Sequence, residues 1–232
     1  MLNQVRYSGI SSKVKAMSAG LISPSMYKEI SSISSVPEFT AYLCEHTPYG
    51  KYLLQTDIRL LHRVEIETFL YNGVYEDFKK LYRFADQNQR FYLKLYFKIF
   101  EIEFLKKCIR RVMSDRHAST TIVSPDNFFM EHTHLKTDAF LSAYNMSELT
   151  ELLKGTEYHD IIFVVFAYQN SSPFDYELAL NLYYYQTIWK TLSKKCSGPD
   201  ADILTHSYGI RIDLLNLTSI YRGKFHFHLE NA

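Results

Sequence analysis

SYGIRIDLLNLTSIYRGKFHF, residues 207–227, decides how the rest of the chain is read. Ile210, Leu214, Leu217 and Tyr221 recur at steps of four, three and four, which places them on one face of a helix. Ile212, Leu215 and Ile220 cover a second face, so the helix is expected to be buried on most sides. A shift of 110 positions lays Ile212-Asp213-Leu214-Leu215 on Ile102-Glu103-Phe104-Leu105. The same shift lays Glu177 on Glu67, Leu180 on Leu70 and Ile188 on Phe78. One offset that holds without a gap from Glu177 to Leu215 marks two copies of one helical unit.

The match extends upstream. PEFTAYLCEHTPYGKYL, residues 37–53, answers to MSELTELLKGTEYHDII, residues 146–162. Glu38, Phe39 and Leu43 meet Glu148, Leu149 and Leu153, and a turn at 47–49 meets one at 156–158 after a slip of one residue. The expected division is a first helical repeat unit over residues 1–122 and a second over 123–232, within one continuous domain.

Composition agrees with an all-α chain. The 232 residues include only 8 Gly and 6 Pro but 19 Tyr and 16 Phe, few breakers among long periodic segments. A chain of this length buries roughly 70% of its unfolded surface and needs no covalent staple. The formal net charge of +1 offers no electrostatic case for nucleic acid. Cys44, Cys108 and Cys196 are odd in number and far apart, which reads as thiols in a reducing compartment rather than a disulfide or zinc framework. The N-terminal residues have no apolar core for a signal peptide, and the longest apolar run, 161–168, is too short to span a bilayer.

Along the chain, Val14, Met17 and Leu21 begin a first helix, and Ser23-Pro24 reads as an N-cap with proline at the first helical position of the next. A long helix is expected from Asp57 to about Arg83, with Gly73 either kinking it or ending it. Asp86-Gln87-Asn88 is a polar break, and a second stripe runs from Phe91 to Ile109. Residues 114–125 are the best linker candidate, and Thr137-Asp138 caps a short helix running to Tyr144. IIFVVF, residues 161–166, has the β-branched and aromatic content of a strand. Its place inside the repeat and the lack of partner strands favour a buried helix instead.

Candidate chemistry is thin. Repeated acids at Glu67/Glu177 and Glu103/Asp213 raise a carboxylate metal site between helices, but such sites need Glu-x-x-His on two of them. Leu70, Lys106, Leu180 and Asn216 stand where the histidines belong. These acids are expected to pair with Arg or Lys of neighbouring helices. His132/His134 and His226/His228 lack a third ligand, and an i,i+2 spacing turns two rings apart on a helix; they read as surface or capping histidines. No phosphate-cradling glycine loop and no nucleophile elbow is present. Lys94, Lys98, Lys106, Lys107, Arg110 and Arg111 form a basic stretch broken by Glu101 and Glu103, the pattern of a solvated or protein-contacting face. No catalytic, cofactor-binding or metal-binding residue is therefore assigned, and no cofactor is expected.

Residues VKAMSAGLIS, PEFTAYLCEHTPYGKYL, LKLYFKIFEIEFLKKCIRR, ELALNLYYYQTIWK and GIRIDLLNLTSIYRGKFHF together resemble the C subunit of bacterial and archaeal V/A-type ATPases. That family includes the d subunit of the eukaryotic vacuolar ATPase. The most specific parts are residues 212–217 with Tyr221, Arg222 and Lys224, and Thr47-Pro48-Tyr49-Gly50. The resemblance implies a funnel of three similar helical units, of which two are present here. It implies a non-catalytic central-stalk (rotor) component, peripheral on the cytoplasmic face of the membrane. Its partners would be the proteolipid ring and the axle, coupling proton or sodium transport to ATP turnover. The alternative is a non-catalytic helical scaffold derived from the same family.

Overall fold

In a computed structural model, residues 2–53, 61–114, 127–168 and 170–225 are described, without the side chains of residues 2–6 and 222–223. Among them the chain is all-α, with no strand. The elements are α1 (Leu2–Ser18), α2 (Pro24–Ser31), α3 (Val36–His46), α4 (Gly50–Leu53), α5 (Arg63–Phe84), α6 (Gln87–Met113), α7 (Asn127–His132), α8 (Thr137–Ser142), α9 (Met146–Leu152), α10 (His159–Ala167), α11 (Pro173–Lys195) and α12 (Pro199–Phe225). Packing divides the chain into two compact units, Met1–Tyr96 with Thr121–Asp138 and Phe97–Thr120 with Ala139–Ala232. The division falls inside α6 and α8.

Capping explains where the helices start, and the same devices recur 110 residues apart. His62 and Ser172 both stand at N-caps, with Glu65 and Asp175 reaching back to their N–H groups at 2.8 and 2.7 Å. Such a reciprocal box satisfies amides that a helix start leaves unpaired. The Ser35 and Asn145 side chains cap α3 and α9 by accepting from the Glu38 and Glu148 amides at 3.3 and 2.9 Å. Thr40 and Thr150, both buried, donate to the carbonyls of Val36 and Met146 at 2.8 Å. The Thr47 and Thr156 hydroxyls each accept from the amide two residues on, at 3.2 and 3.3 Å. Ser23 and Pro24 open α2 as their identities dictate, with the Ser23 hydroxyl accepting from the Met26 amide.

In the first unit Leu43, Leu53, Leu61 and Ile66 form the apolar centre, and Ile22, Ile30 and Phe69 pack around it. An aromatic group continues it, in which Phe78 stacks on Tyr96 at 6.2 Å and meets Phe128 edge-on at 5.8 Å. In the second unit α11 buries Tyr176, Leu180, Tyr184, Ile188 and Leu192 at steps of four, a single helical ridge. It shares the core with Ile102, Leu105, Cys108 and Ile109 from the C-terminal half of α6 and with Leu149, Leu153 and Ile162.

Several expectations need correction. α1 begins at Leu2, well before Val14, and Leu21 lies beyond its end. α5 begins at Arg63; Leu61 and His62 precede it, and Asp57 and Ile58 lie outside the described residues. Gly73 neither kinks nor ends α5. It lets the Tyr52 ring lie against the helix, where a Cβ would come within 2.8 Å of Tyr52 Cε2. The break before α6 is only Ala85-Asp86, because Asp86 Oδ1 accepts from the Gln89 amide at 2.8 Å and starts the helix at once. α8 ends at Ser142, short of Tyr144, and residues 115–125 of the linker candidate lie outside the described residues. Residues 161–166 are helical in α10 as expected, but only Ile162 is buried; Phe163, Val164 and Phe166 are exposed. α12 departs furthest from expectation, because Ile210, Leu214, Leu217, Ile220 and Tyr221 are all exposed.

Candidate functional site

The polar residues of the second unit converge on one seam, where the C-terminal half of α6 meets α8, the α9–α10 turn and α11. Two features of the sequence build it. The basic stretch places a cation at nearly every turn of α6, and the Thr-x-Tyr turn places Glu157 and Tyr158 opposite. The Tyr158 hydroxyl, buried, donates to Glu101 Oε2 at 2.6 Å, and the Tyr183 hydroxyl donates to Glu157 Oε2 at 2.5 Å. Lys98 pairs with the same Glu157.

Lower on α6, Lys106 is buried and donates to Glu103 Oε1 and Asn181 Oδ1, both at 2.7 Å. Arg110 Nε donates to Glu177 Oε1 at 2.5 Å. Arg111 donates to the carbonyls of Phe140 (3.0 Å), Ala143 (2.8 Å) and Leu141. Carbonyls at a helix end lack intrahelical donors, and a guanidinium is suited to collecting them. The basic stretch thus serves internal ties at Lys98, Lys106, Arg110 and Arg111.

The electrostatics follow from burial. Burial and the nearby Glu101 carboxylate push the Tyr158 hydroxyl far above the ordinary tyrosine range. Burial and Glu157 do the same for Tyr183. Both phenols stay protonated and donate to their carboxylates. Burial pushes the Cys108 thiol up to about 12, against the pull of Arg111 and Lys107. A thiol held protonated is a packing group, not a nucleophile. Burial likewise lowers the Lys107 ammonium below its ordinary value, while the hydrogen bond to Glu177 raises Arg110.

The repeated acids lie at different places in this scheme. Glu177 pairs with a cation of a neighbouring helix, as expected. Glu67 and Glu103 instead pair within their own helices, with Arg63 and with Lys106, both at 2.7 Å. Among the described residues no three His, Cys, Asp or Glu side chains stand together as a metal set. His132 ends α7 with Nδ1 2.9 Å from the Phe128 carbonyl and its ring stacked on Phe128; His226 and His228 lie outside the described residues. The three cysteines are free.

What the arrangement does chemically is hold helices together. The cations of the seam are spent on carboxylates and carbonyls of the same unit, and both phenols are engaged as donors. The surface that remains open is apolar: Phe163, Val164 and Phe166 on α10, Leu182 and Trp189 on α11, and the α12 stripe. Exposed apolar faces of this extent mark interaction surfaces. Periodicity in the sequence locates these residues on helix faces, but nothing in it distinguishes a face covered within the chain from one left open.

Among the described residues no helix is long and apolar enough to cross a membrane. The family model of the ATP synthase (C/AC39) subunit matches residues 10–232. The A-type ATP synthase C subunit of Methanocaldococcus jannaschii is 26% identical over 223 residues, covering 94% of this chain and 54% of the relative. The C subunit of Thermococcus kodakarensis is 23% identical over 219 residues, covering 94% and 57%. That of Pyrococcus abyssi is 21% identical over 220 residues, covering 94% and 56%. The chain spans about half the length of the curated relatives it matches.

Proposed function

The chain belongs to the ATP synthase (C/AC39) subunit family, and from that premise we propose that it is a non-catalytic central-stalk component of a V/A-type rotary ATPase. It acts as a socket between the axle and the membrane proteolipid ring, on the cytoplasmic face, and so couples ion transport to ATP turnover without performing either chemistry. The observation that carries the reading is the family match over residues 10–232. Capping devices that recur 110 residues apart support two copies of one helical unit, each a stiff body suited to transmitting torque.

The α6 seam fits such a role. A rotor part must not yield along its helices, and charge-assisted bonds between neighbouring helices resist sliding more than apolar contact alone. The open apolar faces of α10, α11 and α12 supply surface for neighbours in a complex.

The span of about half the relatives' length favours a second reading, a non-catalytic helical scaffold derived from the family. One experiment separates the two. The tagged chain is purified from its own membranes in mild detergent, and co-eluting proteins are identified by mass. Recovery of proteolipid ring and axle components supports the socket; recovery of neither, from a chain that is helical by circular dichroism, leaves the scaffold.

A further inference from the structure

The two units differ at equivalent positions in one respect, and the difference identifies an interface. In the first unit an open groove of about 390 Å³ lies between the start of α3 and the first half of α5, lined by Ile33, Val36, Phe39, Arg63, Glu67 and Leu70 among others. The positions 110 residues later are Ala143, Met146, Leu149, Pro173, Glu177 and Leu180. There the groove is closed: Ala143, Leu149 and Leu180 are buried, while Ile33, Phe39 and Leu70 are only half-buried and Val36 is exposed.

The C-terminal half of α6 does the closing. Arg110 bonds to Glu177, Arg111 bonds to the Ala143 carbonyl, and Phe104 packs edge-on against Phe140 at 6.2 Å. Ile102, Leu105, Cys108 and Ile109, all 2% exposed or less, supply the apolar contact. α6 is a helix of 27 residues that follows α5 after a short break, and α12 is a helix of 27 residues that follows α11 in the same way. On α12 the corresponding half carries Ile210, Leu214, Leu217, Ile220, Tyr221 and Phe225, between 48 and 64% exposed. One groove of this kind is open, and one helix of the kind that fills it lies bare.

We propose that the apolar stripe of α12 docks in the α3–α5 groove of a second copy of this chain, repeating between copies the seat that α6 occupies in the α9–α11 groove. The contact is heterologous, joining two different patches. The rims match in kind: Arg63 and Glu67 flank the groove, and Arg211 and Asp213 flank the stripe, so each side offers opposite charges to the other. This self-association goes beyond the rotary-ATPase reading and stands or falls separately from it.

Sedimentation velocity on the purified full chain tests the proposal. The expected result is concentration-dependent association across the micromolar range. Leu214→Glu/Leu217→Glu, which disables the stripe, and Val36→Glu, which disables the groove, each weaken association by about 100-fold or more. These positions are exposed, so both variants keep the helical circular dichroism of the parent. Mixing the two variants is the decisive arm. A heterologous contact is restored in the mixture, because one variant keeps an intact groove and the other an intact stripe. The proposal is overturned if the parent chain stays monomeric. It is equally overturned if Val36→Glu leaves association unchanged, or if the mixture fails to associate, as a symmetric pairing of two α12 helices through a heptad-like seam requires.

Discussion

Replacing Tyr158 by Phe removes one oxygen from the most buried polar contact of the α6 seam, and its cost can be worked from the geometry. The Tyr158 hydroxyl lies 2.6 Å from Glu101 Oε2, and the two residues are 2% and 7% exposed. A hydrogen bond to an ionised group contributes about 1.5–3 kcal/mol, and loss of one partner leaves the other poorly compensated. Phe fills the same volume, so no cavity adds to the loss. The expected cost is therefore about 2 kcal/mol, or roughly 4–8 °C in Tm for a chain of this size. Urea unfolding followed by circular dichroism measures it. The cycle with Glu101→Leu isolates the pair: the double variant is predicted to lose less than the sum of the singles, by at least about 1 kcal/mol. A Tyr158→Phe variant within about 0.5 kcal/mol of the parent would refute the reasoning, because a surface-like contact behaves that way.

Other perturbations bear on other parts of the fold. Gly50→Ala places a Cβ 2.4 Å from the Cys44 Cα, a backbone atom that cannot swing away; a loss of about 3 kcal/mol or failure to fold is expected, and parental stability by urea unfolding contradicts the packing described. Leu180→Ala, at a fully buried position, is predicted to cost about 2–5 kcal/mol, whereas Leu182→Ala on the exposed side of α11 stays within about 0.5 kcal/mol; equal effects would contradict the assigned face. Cys108, with its thiol pushed up to about 12, should resist iodoacetamide at pH 8 in the native chain and react after denaturation, as read by mass. The Ser172 amide and hydroxyl hold the Asp175 carboxyl below its ordinary 3.8. Its capping contribution is present above that value and lost as pH falls through the lowered one. Asp175 is exposed, so Asp175→Ala should cost under about 1 kcal/mol at pH 7 and nothing at about pH 2; an undiminished cost in acid would overturn the capping role.

Helix existence is legible in the sequence because local chemistry dictates it. Ser23-Pro24, Ser35, Asn145 and Ser172-Pro173 carry their capping function in their identities, and the offset of 110 aligns α5 with α11 from the residues alone. The boundary at Arg63 is less visible, since Leu61 and the residues before it continue an apolar pattern that a helix also shows. Gly73 misleads for a physical reason: glycine weakens an isolated helix, yet here the missing Cβ admits Tyr52 and packing outweighs the backbone cost. The basic stretch on α6 reads as a face towards solvent or a partner. Its partners are the α8 carbonyls and the acids Glu157 and Glu177, which lie more than 25 residues away in sequence. α12 shows the deepest limit. Hydrophobic periodicity reports which side of a helix seeks cover, and it cannot report whether the same chain provides it.

The central claim is coupling, and the most direct test is made in membrane vesicles that carry the whole rotary complex, with and without this chain. ATP-driven ion uptake and ATP hydrolysis are measured side by side. The account predicts that vesicles lacking the chain keep hydrolysing ATP while uptake collapses, and that adding back the purified chain restores uptake. Uptake that proceeds unchanged without the chain would contradict it.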